Sequence, residues 1–291
     1  MKAKRLISAS VDSVLVVLFV YLLIFPKNLS LDTKNALLFC AETLVPSLFI
    51  YTVLAKAVFS MPFAEKTVGF IGLPAFSLIM GTLCGAPLGA KNALFLYENG
   101  KISKKYAEYL CSFTNNASLS FVVGYVGNVL LGDTLAGVRL LIYQLVGSIV
   151  TAVIMKNVIF GQDKPTASFG IDNKRTALSD IIIDSAHTVI NISACAVFFK
   201  VVAETVSRLM SLDRFGNAIL LSLLEFSSGV SEASKLGNTA FTLCAFAIGF
   251  TGFSVAMQVK SVVSDRLSIR SYLAGKIISC TVMTGLAFIF G

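Results

Sequence analysis

The segment that decides the fold reads Met80-Gly-Thr-Leu-Cys-Gly-Ala-Pro-Leu-Gly-Ala-Lys-Asn92 and lies within an otherwise apolar run. Proline removes a backbone donor and glycine weakens a helix interior, so Gly85, Pro87 and Gly89 predict an interrupted helix. At membrane depth, broken backbone survives only where it is buried in protein or lines a water-filled cavity. We therefore predict a re-entrant helical hairpin over residues 68–99, with its tip at this break.

The second half of the chain holds a counterpart, Leu223-Leu-Glu-Phe-Ser-Ser-Gly-Val-Ser-Glu-Ala-Ser-Lys235. Its serines and glycine interrupt a second apolar run, which predicts a second hairpin over residues 217–238. We predict that the two tips meet near the membrane midplane and form a solute site. The alternative is that these small residues only let helices pack closely, as they do in many membrane proteins.

The composition predicts an all-α integral membrane protein. Of the 291 residues, 56% are hydrophobic and 14% are charged, whereas soluble domains have about 45–50% apolar residues. Most of the net charge of +8 lies between apolar runs, where cationic residues mark cytoplasmic loops rather than a nucleic-acid surface. We expect a multi-pass protein of the cell membrane, with the lipid bilayer as its surroundings and no nucleic-acid partner.

The residues that soluble enzymes need are scarce. The six cysteines are scattered without CxxC spacing, and His187 is the only histidine. These residues predict no metal site, no histidine-based triad and no cofactor. The sequence has no GxxxxGK[ST] loop for a nucleotide. We therefore predict that the protein is not an enzyme and that any transport is passive, ion-coupled or driven by a partner.

The charge distribution predicts the topology of one membrane domain spanning residues 1–291. Lys2, Lys4 and Arg5 precede the first apolar run, which places the N-terminus in the cytoplasm. A hydrophilic cytoplasmic linker, residues 161–176, separates a first repeat at 35–157 from a second at 177–290. We expect a polar loop at 27–34, a long helix over 104–132, and further membrane crossings at 137–157, 177–207, 240–260 and 272–290.

The two halves share an order of features that predicts an inverted-topology repeat. Each half has a long helix, a broken hairpin and then a helix with a Phe-Thr step, at Phe113-Thr114 and Phe250-Thr251. The charge bias makes the two hairpins enter the membrane from opposite sides. In transporters, such a repeat places the binding site between the hairpin tips.

The second half-helix of each hairpin is predicted to direct free N–H groups and the positive end of its dipole at the tip. Lys91 adds a positive charge within one turn of the first break, so we expect a small anionic solute. The amides in the site have the alternative role of tying the hairpins to neighbouring helices. The predicted substrate-binding residues are Gly85, Ala86, Pro87, Gly89, Lys91, Asn115, Asn116, Ser227, Ser228, Gly229, Ser231 and Gln258.

Glu225 follows a largely apolar run, and an ionisable group at membrane depth costs at least about 2.5 kcal/mol unless it is paired or neutralised. We predict that Glu225 is a protonatable coupling group. The alternative is an ion pair with Lys91 or Lys235.

Two further groups of polar residues have structural interpretations. Lys200 and Glu204 are four residues apart on a helix and predict an ion pair. His187 shares a helix side with Asp184 and Asn191, which predicts a satisfied polar cluster rather than a proton relay.

Three segments of the first half and two of the second carry a resemblance to a known family. They are Gly85-Ala-Pro-Leu-Gly-Ala-Lys91, Leu96-Tyr-Glu-Asn-Gly-Lys-Ile-Ser103, Phe113-Thr-Asn-Asn116, Leu224-Glu-Phe-Ser-Ser-Gly229 and Gly249-Phe-Thr-Gly-Phe-Ser254 with Gln258. In this order they resemble the Gate-domain ("nucleoside recognition") membrane proteins, and most of all the YlbJ-type sporulation integral membrane proteins. The resemblance covers about residues 35–280.

The resemblance implies a fold related to concentrative nucleoside transporters and a role in spore formation. It implies transport of dipicolinic acid across a membrane that surrounds the forespore. A nucleoside carrier and a non-transporting scaffold for other sporulation proteins are the alternatives. Expected protein partners are a second copy of the chain or other sporulation membrane proteins.

Overall fold

The computed structural model describes residues 12, 16–59, 63–160 and 177–291. The predicted linker at 161–176, the N-terminal cations Lys2, Lys4 and Arg5 and the beginning of the first apolar run lie outside the described residues. The first seven helices are α1 Val16–Ile24, α2 Pro26–Phe39, α3 Val45–Phe59, α4 Phe63–Ile71, α5 Leu73–Cys84, α6 Leu88–Glu98 and α7 Lys104–Phe113. A π-helix, Ser120–Leu130, precedes α8 Thr134–Phe160, α9 Leu178–Met210, α10 Arg214–Leu224, α11 Phe226–Ala233, α12 Ala240–Phe250, α13 Gly252–Val263 and α14 Arg270–Phe290.

Within the described ranges, four helical stretches are long and apolar enough to cross a membrane. They are Thr134–Phe160, Leu178–Met210, Gly237–Val263 and Arg270–Phe290. A fifth is present if α1 and the following segment to Leu44, bent by 104° relative to each other, form one span. Large apolar side chains face outward, such as Phe70 at 90% exposure, as expected of a surface in contact with lipid. The predicted class, an all-α multi-pass membrane protein, is confirmed.

The first predicted break is an interruption at residues 85–87, between α5 and α6. Gly85 has φ +80°, a conformation that only glycine adopts without strain. A Cβ added to Gly81 or Gly89 would lie 1.7 Å or 2.5 Å from the carbonyl oxygen of Thr114. Eight residues of straight helix would span about 12 Å. Since both glycines contact one atom, α5 and α6 fold back on each other around Thr114.

The second interruption is shorter. Glu225 alone separates α10 from α11, in an extended conformation with φ −138° and ψ 99°. A Cβ on Gly229 would lie 2.4 Å from the Cα of Ser222, although seven residues of straight helix would span about 10 Å. The chain therefore reverses at Glu225. The two arms together occupy residues 214–233, three residues earlier at the start and five at the end than the predicted 217–238.

The predicted long helix over 104–132 is wrong, because a helix ends at the Phe113-Thr114 step. The span predicted at 240–260 lies within the apolar stretch Gly237–Val263, which is interrupted at Thr251. α7 ends at Phe113, and α12 ends at Phe250. The hydroxyl of Thr114 donates to the carbonyl oxygen of Leu110 at 2.8 Å, and that of Thr251 donates to the carbonyl oxygen of Phe250 at 2.6 Å. Threonine hydroxyls that bond to nearby carbonyls compete with the helical hydrogen-bond pattern. Thr251 also has a left-handed φ of +62°.

The predicted polar loop at 27–34 is also wrong, because α2 begins at Pro26. Proline is favoured at the first position of a helix, where its missing N–H is not needed. The Asp32 carboxylate, on the same helix, accepts two hydrogen bonds of 3.0 Å from Arg208 of α9. A π-helical turn, Cys40–Leu44, joins α2 to α3 just before Pro46, which cannot donate a helical hydrogen bond.

Glycines let the long helices approach closely around α14. A Cβ on Gly275 of α14 would lie 1.9 Å from the carbonyl oxygen of Ser112 in α7. A Cβ on Gly147 of α8 would lie 3.0 Å from the carbonyl oxygen of Ser279, and one on Gly249 of α12 would lie 2.8 Å from the Cα of Cys280. Small residues at such crossings are the usual means of helix packing in membranes. This bundle supports the two interrupted segments.

Candidate functional site

One cavity is lined by residues of both interruptions. Gly85 and Ala86 reach it from the first, and Glu225, Phe226 and Ser227 reach it from the second. The remaining lining residues are Leu44, Leu48, Asn116, Ala117, Ser118, Phe121, Ile192, Thr251, Val255 and Gln258. The cavity measures about 30 Å³, which holds roughly two water molecules. The interruptions therefore converge on one small, partly polar space.

The N-terminus of α6 is already hydrogen-bonded within the protein. The Ala90 N–H donates to the Asn115 side-chain oxygen at 2.9 Å. The Leu88 and Lys91 N–H groups donate to the carbonyl oxygens of Gly85 and Pro87, both at 3.1 Å. The expectation that these donors point freely at a solute is wrong for these three groups. Asn115 caps the helix and replaces the anion that the sequence led us to expect.

Glu225 caps the N-terminus of α11 with its own carboxylate. One carboxylate oxygen accepts from the Ser227 N–H at 3.2 Å and from the Ser227 hydroxyl at 2.5 Å. The other accepts from the Ser228 N–H at 2.7 Å. The residue is 2% exposed, and it is the only charged residue among those that line the cavity. The hydrogen-bond partners of this buried side chain are thus the first N–H groups of α11 and the Ser227 hydroxyl, and no ion pair joins it to a cation among the described residues.

The alternative predicted for Glu225, an ion pair with Lys91 or Lys235, does not match the contacts that the structure shows. Lys235 pairs with Glu232 at 2.6 Å on the same helical turn. Lys91 pairs with Asp184 of α9. Both lysines therefore form ion pairs with other acids. Glu225 lines the cavity and has hydrogen-bond partners but no ion-pair partner among the described residues.

Two buried polar atoms beside or in the cavity have no hydrogen-bond partner. They are the side-chain oxygen of Gln258, which lines the cavity, and the hydroxyl of Ser228, next to Glu225 in the hairpin tip. Gln258 is 2% exposed and Ser228 is 1% exposed. An unpaired buried polar group costs about 1–3 kcal/mol. Such a cost at the wall of a polar cavity indicates that water or a solute supplies the missing partner.

Asn116 lines the cavity, but its side-chain amide forms hydrogen bonds with other residues of the protein. Its nitrogen lies 3.4 Å from the Thr82 hydroxyl and 3.3 Å from the Phe113 carbonyl oxygen. Its side-chain oxygen accepts from the Ser148 hydroxyl at 3.1 Å, and its carbonyl oxygen accepts from the Ala86 N–H at 2.8 Å. Asn116 therefore ties the first hairpin tip to α8. This is the alternative role predicted for the amides.

The other predicted residues lie outside the cavity lining. Gly89 contacts Thr114, and Gly229 contacts Ser222, so both permit close packing. Pro87 is the N-cap residue of α6. The carbonyl oxygen of Ser231 accepts from the Ser234 hydroxyl at 2.9 Å within α11. Six of the thirteen predicted residues line the cavity, namely Gly85, Ala86, Asn116, Glu225, Ser227 and Gln258.

Two other expectations have different outcomes. Lys200 and Glu204 form the predicted ion pair at 3.6 Å. The predicted cluster of His187 with Asp184 is wrong, because the Asp184 oxygens bind Lys56, at 2.9 Å, and Lys91. Lys56 lies 128 positions before Asp184, and no sequence pattern links the two.

Sequence reasoning missed part of the lining. Ser118, Thr251 and Val255 face the cavity and were not predicted as site residues. Thr251 belongs to one of the two Phe-Thr steps, which predicted the shared order of the two halves but no site residue. Thr251 lies at the interruption between α12 and α13, and Val255 lies in the first turn of α13.

Comparison with known proteins gives one relative. The chain is 25% identical over 285 residues to the sporulation integral membrane protein YlbJ of Bacillus subtilis (strain 168). The alignment covers 80% of this chain and 70% of the relative. No family model matches the chain, and no solved structure matches it. The similarity supports the YlbJ-like part of the resemblance and does not bear on the Gate-domain relationship.

Proposed function

We propose that this protein is a sporulation-associated membrane transporter that binds a small solute between two re-entrant hairpin tips and takes up a proton on Glu225. The observation that carries the proposal is the cavity between the interruptions, which contains a buried carboxylate without a cation. Interrupted backbone and an ionisable group at membrane depth are typical of transport sites. The similarity to a sporulation integral membrane protein supports the biological setting.

An inverted repeat related to concentrative nucleoside transporters is part of the proposal. In each half, a segment that folds back on itself is followed by a helix that ends at a Phe-Thr step, Phe113 in one half and Phe250 in the other. Two halves with this shared order and opposite orientation would place their tips together at the midplane. The repeats at 35–157 and 177–290 are the two halves of this arrangement, and the proposal of a cytoplasmic N-terminus rests on the charges of Lys2, Lys4 and Arg5.

The polar atoms of the cavity set conditions on the solute. Glu225 is an anion when ionised, and the unpaired Gln258 oxygen is an acceptor, so the lining favours hydrogen-bond donors. A dicarboxylate such as dipicolinate is repelled by an ionised Glu225 but accepts a hydrogen bond from a protonated one. We therefore propose that an anionic solute enters together with a proton. A nucleoside is the second candidate, because its hydroxyl and amine donors match the free acceptors directly.

Transport requires the tips to separate. The cavity of about 30 Å³ is far smaller than the roughly 300 Å³ or more of typical small-molecule sites. In this proposal the site is closed, and a solute enters when one hairpin moves relative to the bundle. The setting is the cell membrane or a membrane around the forespore, and a second copy or other sporulation membrane proteins are the proposed partners.

The test is uptake of radiolabelled dipicolinate by liposomes that contain the purified protein, with an imposed proton gradient. We expect uptake that the gradient accelerates and that Glu225→Gln lowers by about tenfold or more, since hydrogen bonds to charged groups contribute about 1.5–3 kcal/mol. Lys235→Gln, on an exposed helical turn, serves as the control and should leave uptake unchanged. Saturable uptake of radiolabelled uridine that excess dipicolinate does not reduce would favour the nucleoside. Absence of uptake of both solutes would contradict the transporter.

A further inference from the structure

A second polar site lies one turn beyond the first hairpin tip, where α3, α6 and α9 meet. Lys56 of α3 donates to one oxygen of Asp184 at 2.9 Å, and Lys91 of α6 donates to the other. Lys56 also lies 3.4 Å from the Thr188 hydroxyl, which donates to the carbonyl oxygen of Asp184 at 2.8 Å. We call these residues, Lys56, Lys91, Asp184 and Thr188, the lysine cluster.

The lysine cluster carries more positive than negative charge. Two ammonium groups share one carboxylate, and the ion pairs formed by the described residues bring no second acid to either lysine. Asp184 lies six residues into α9, within an apolar helix long enough to cross a membrane. Among the described residues, the surplus ammonium group at this position has no acid of its own and attracts an anionic group.

The ammonium groups also have unused donors. Each carries three N–H donors. Lys56 uses two of them, on Asp184 and Thr188, and Lys91 uses one, on Asp184. One donor of Lys56 and two donors of Lys91 therefore have no acceptor among the described residues.

An incoming group can reach these donors. The side chains of Lys91 and Asp184 are 41% and 44% exposed, whereas that of Lys56 is 11% exposed. Lys56 therefore holds Asp184 from the buried side, and Lys91 presents its free donors on the open side. Two convergent ammonium groups with free donors match a carboxylate or phosphate oxygen.

We propose that the lysine cluster is a separate binding site for one carboxylate or phosphate group. The group is held by the free donors of Lys91 on the open side of Asp184, and one negative charge brings the cluster to neutrality. Binding at this site does not require transport, so it goes beyond the proposed function. The same chemistry is offered by a soluble anion and by the phosphate of an anionic lipid.

Binding is measured in two arms. In the first, purified protein in a neutral detergent is titrated with inorganic phosphate and with benzoate by isothermal calorimetry. In the second, native mass spectrometry counts phosphatidylglycerol and phosphatidylcholine molecules that remain on the protein. One saturable site in the first arm identifies a soluble anion, and one retained phosphatidylglycerol without phosphatidylcholine identifies a lipid phosphate.

Variants assign the binding to the cluster. Lys91→Gln should weaken binding by about tenfold or more, because it removes the charge that contacts the anion. Asp184→Asn should tighten it by about tenfold, because it removes the competing carboxylate. Lys235→Gln lowers the net charge of the chain as Lys91→Gln does and should change nothing.

The gain expected of Asp184→Asn keeps the test decisive, since misfolding cannot produce tighter binding. Failure of both arms to detect binding, or equal binding by Lys91→Gln and Lys235→Gln, would overturn the proposal. Anion binding that persists in Glu225→Gln protein without uptake separates this site from the transport cavity.

Discussion

The two hairpin tips differ in the side chain that accepts hydrogen bonds from the N–H groups at the start of the second helix. At residues 85–87 three residues leave the helix, and a neutral amide from another segment, Asn115, caps the α6 N-terminus at 2.9 Å. At the second tip one residue leaves the helix, and that residue, Glu225, caps α11 with a carboxylate. Both caps satisfy backbone donors. The second tip alone brings an ionisable group to the cavity, so the proposed proton coupling belongs to the second half.

The largest expected effect tests whether the first tip folds back as described. Gly81→Ala should lower the free energy of unfolding by about 3 kcal/mol or more, because its Cβ would lie 1.7 Å from the Thr114 carbonyl oxygen. The measurement is thermal unfolding in detergent with a thiol-reactive dye, which reports exposure of buried cysteines such as Cys84 and Cys111.

Gly124→Ala is the matched control, since a Cβ there meets nothing within 4 Å. Equal unfolding temperatures for the two variants would contradict the packing of both hairpin arms on Thr114.

The next prediction distinguishes the role of Asn115, which caps α6, from that of Glu225, which caps α11. Asn115→Ala should lower the free energy of unfolding by about 1–2 kcal/mol, because it removes the cap of α6 and leaves the Ala90 N–H buried without a partner. It should leave the proton dependence of uptake intact. Glu225→Gln should abolish acceleration of uptake by a proton gradient. It should also lower the free energy of unfolding, because its NH2 group replaces one of the two oxygens that accept from the Ser227 and Ser228 N–H groups. The two measurements are thermal unfolding and proton-driven uptake, made on both variants.

A result with the effects exchanged would break the comparison. If Asn115→Ala removed the proton dependence and Glu225→Gln did not, the ionisable group would have to lie elsewhere.

The smallest effect on stability is expected at Gln258, between the tips. Gln258→Leu removes a buried oxygen that has no partner, so the unfolding temperature should stay within about 2 °C or rise. Uptake should fall, because the acceptor offered to the solute is lost. A large drop in the unfolding temperature would show that Gln258 serves the fold instead.

The fold class and the location of both interruptions could be predicted from the sequence, for a physical reason. Gly85, Pro87 and the serines after Glu225 act locally, because each changes which backbone conformations or hydrogen bonds are available to its own segment. The interruptions at Phe113 and Phe250 were missed, since a single threonine in an apolar run rarely ends a helix. Tertiary packing selects those ends.

The candidate site could be predicted only in part. Residues beside each break, such as Ala86 and Ser227, line the cavity because they sit at the tips. Lys91 was predicted to bind the solute because it is near the break in sequence. Instead it pairs with Asp184, which is 93 positions away, and it does not line the cavity. A long-range ion pair of this kind leaves no local pattern in the sequence.

The central claim is that the two tips face each other across a cavity that opens during transport. Ala86 and Ser227 line that cavity from opposite tips. The most direct measurement introduces Ala86→Cys and Ser227→Cys together in a protein whose native cysteines have been replaced, and then follows disulfide formation and uptake. We predict that the disulfide forms under oxidation, stops uptake and releases it again on reduction. Failure to form the disulfide, or full uptake by the cross-linked protein, would contradict the account.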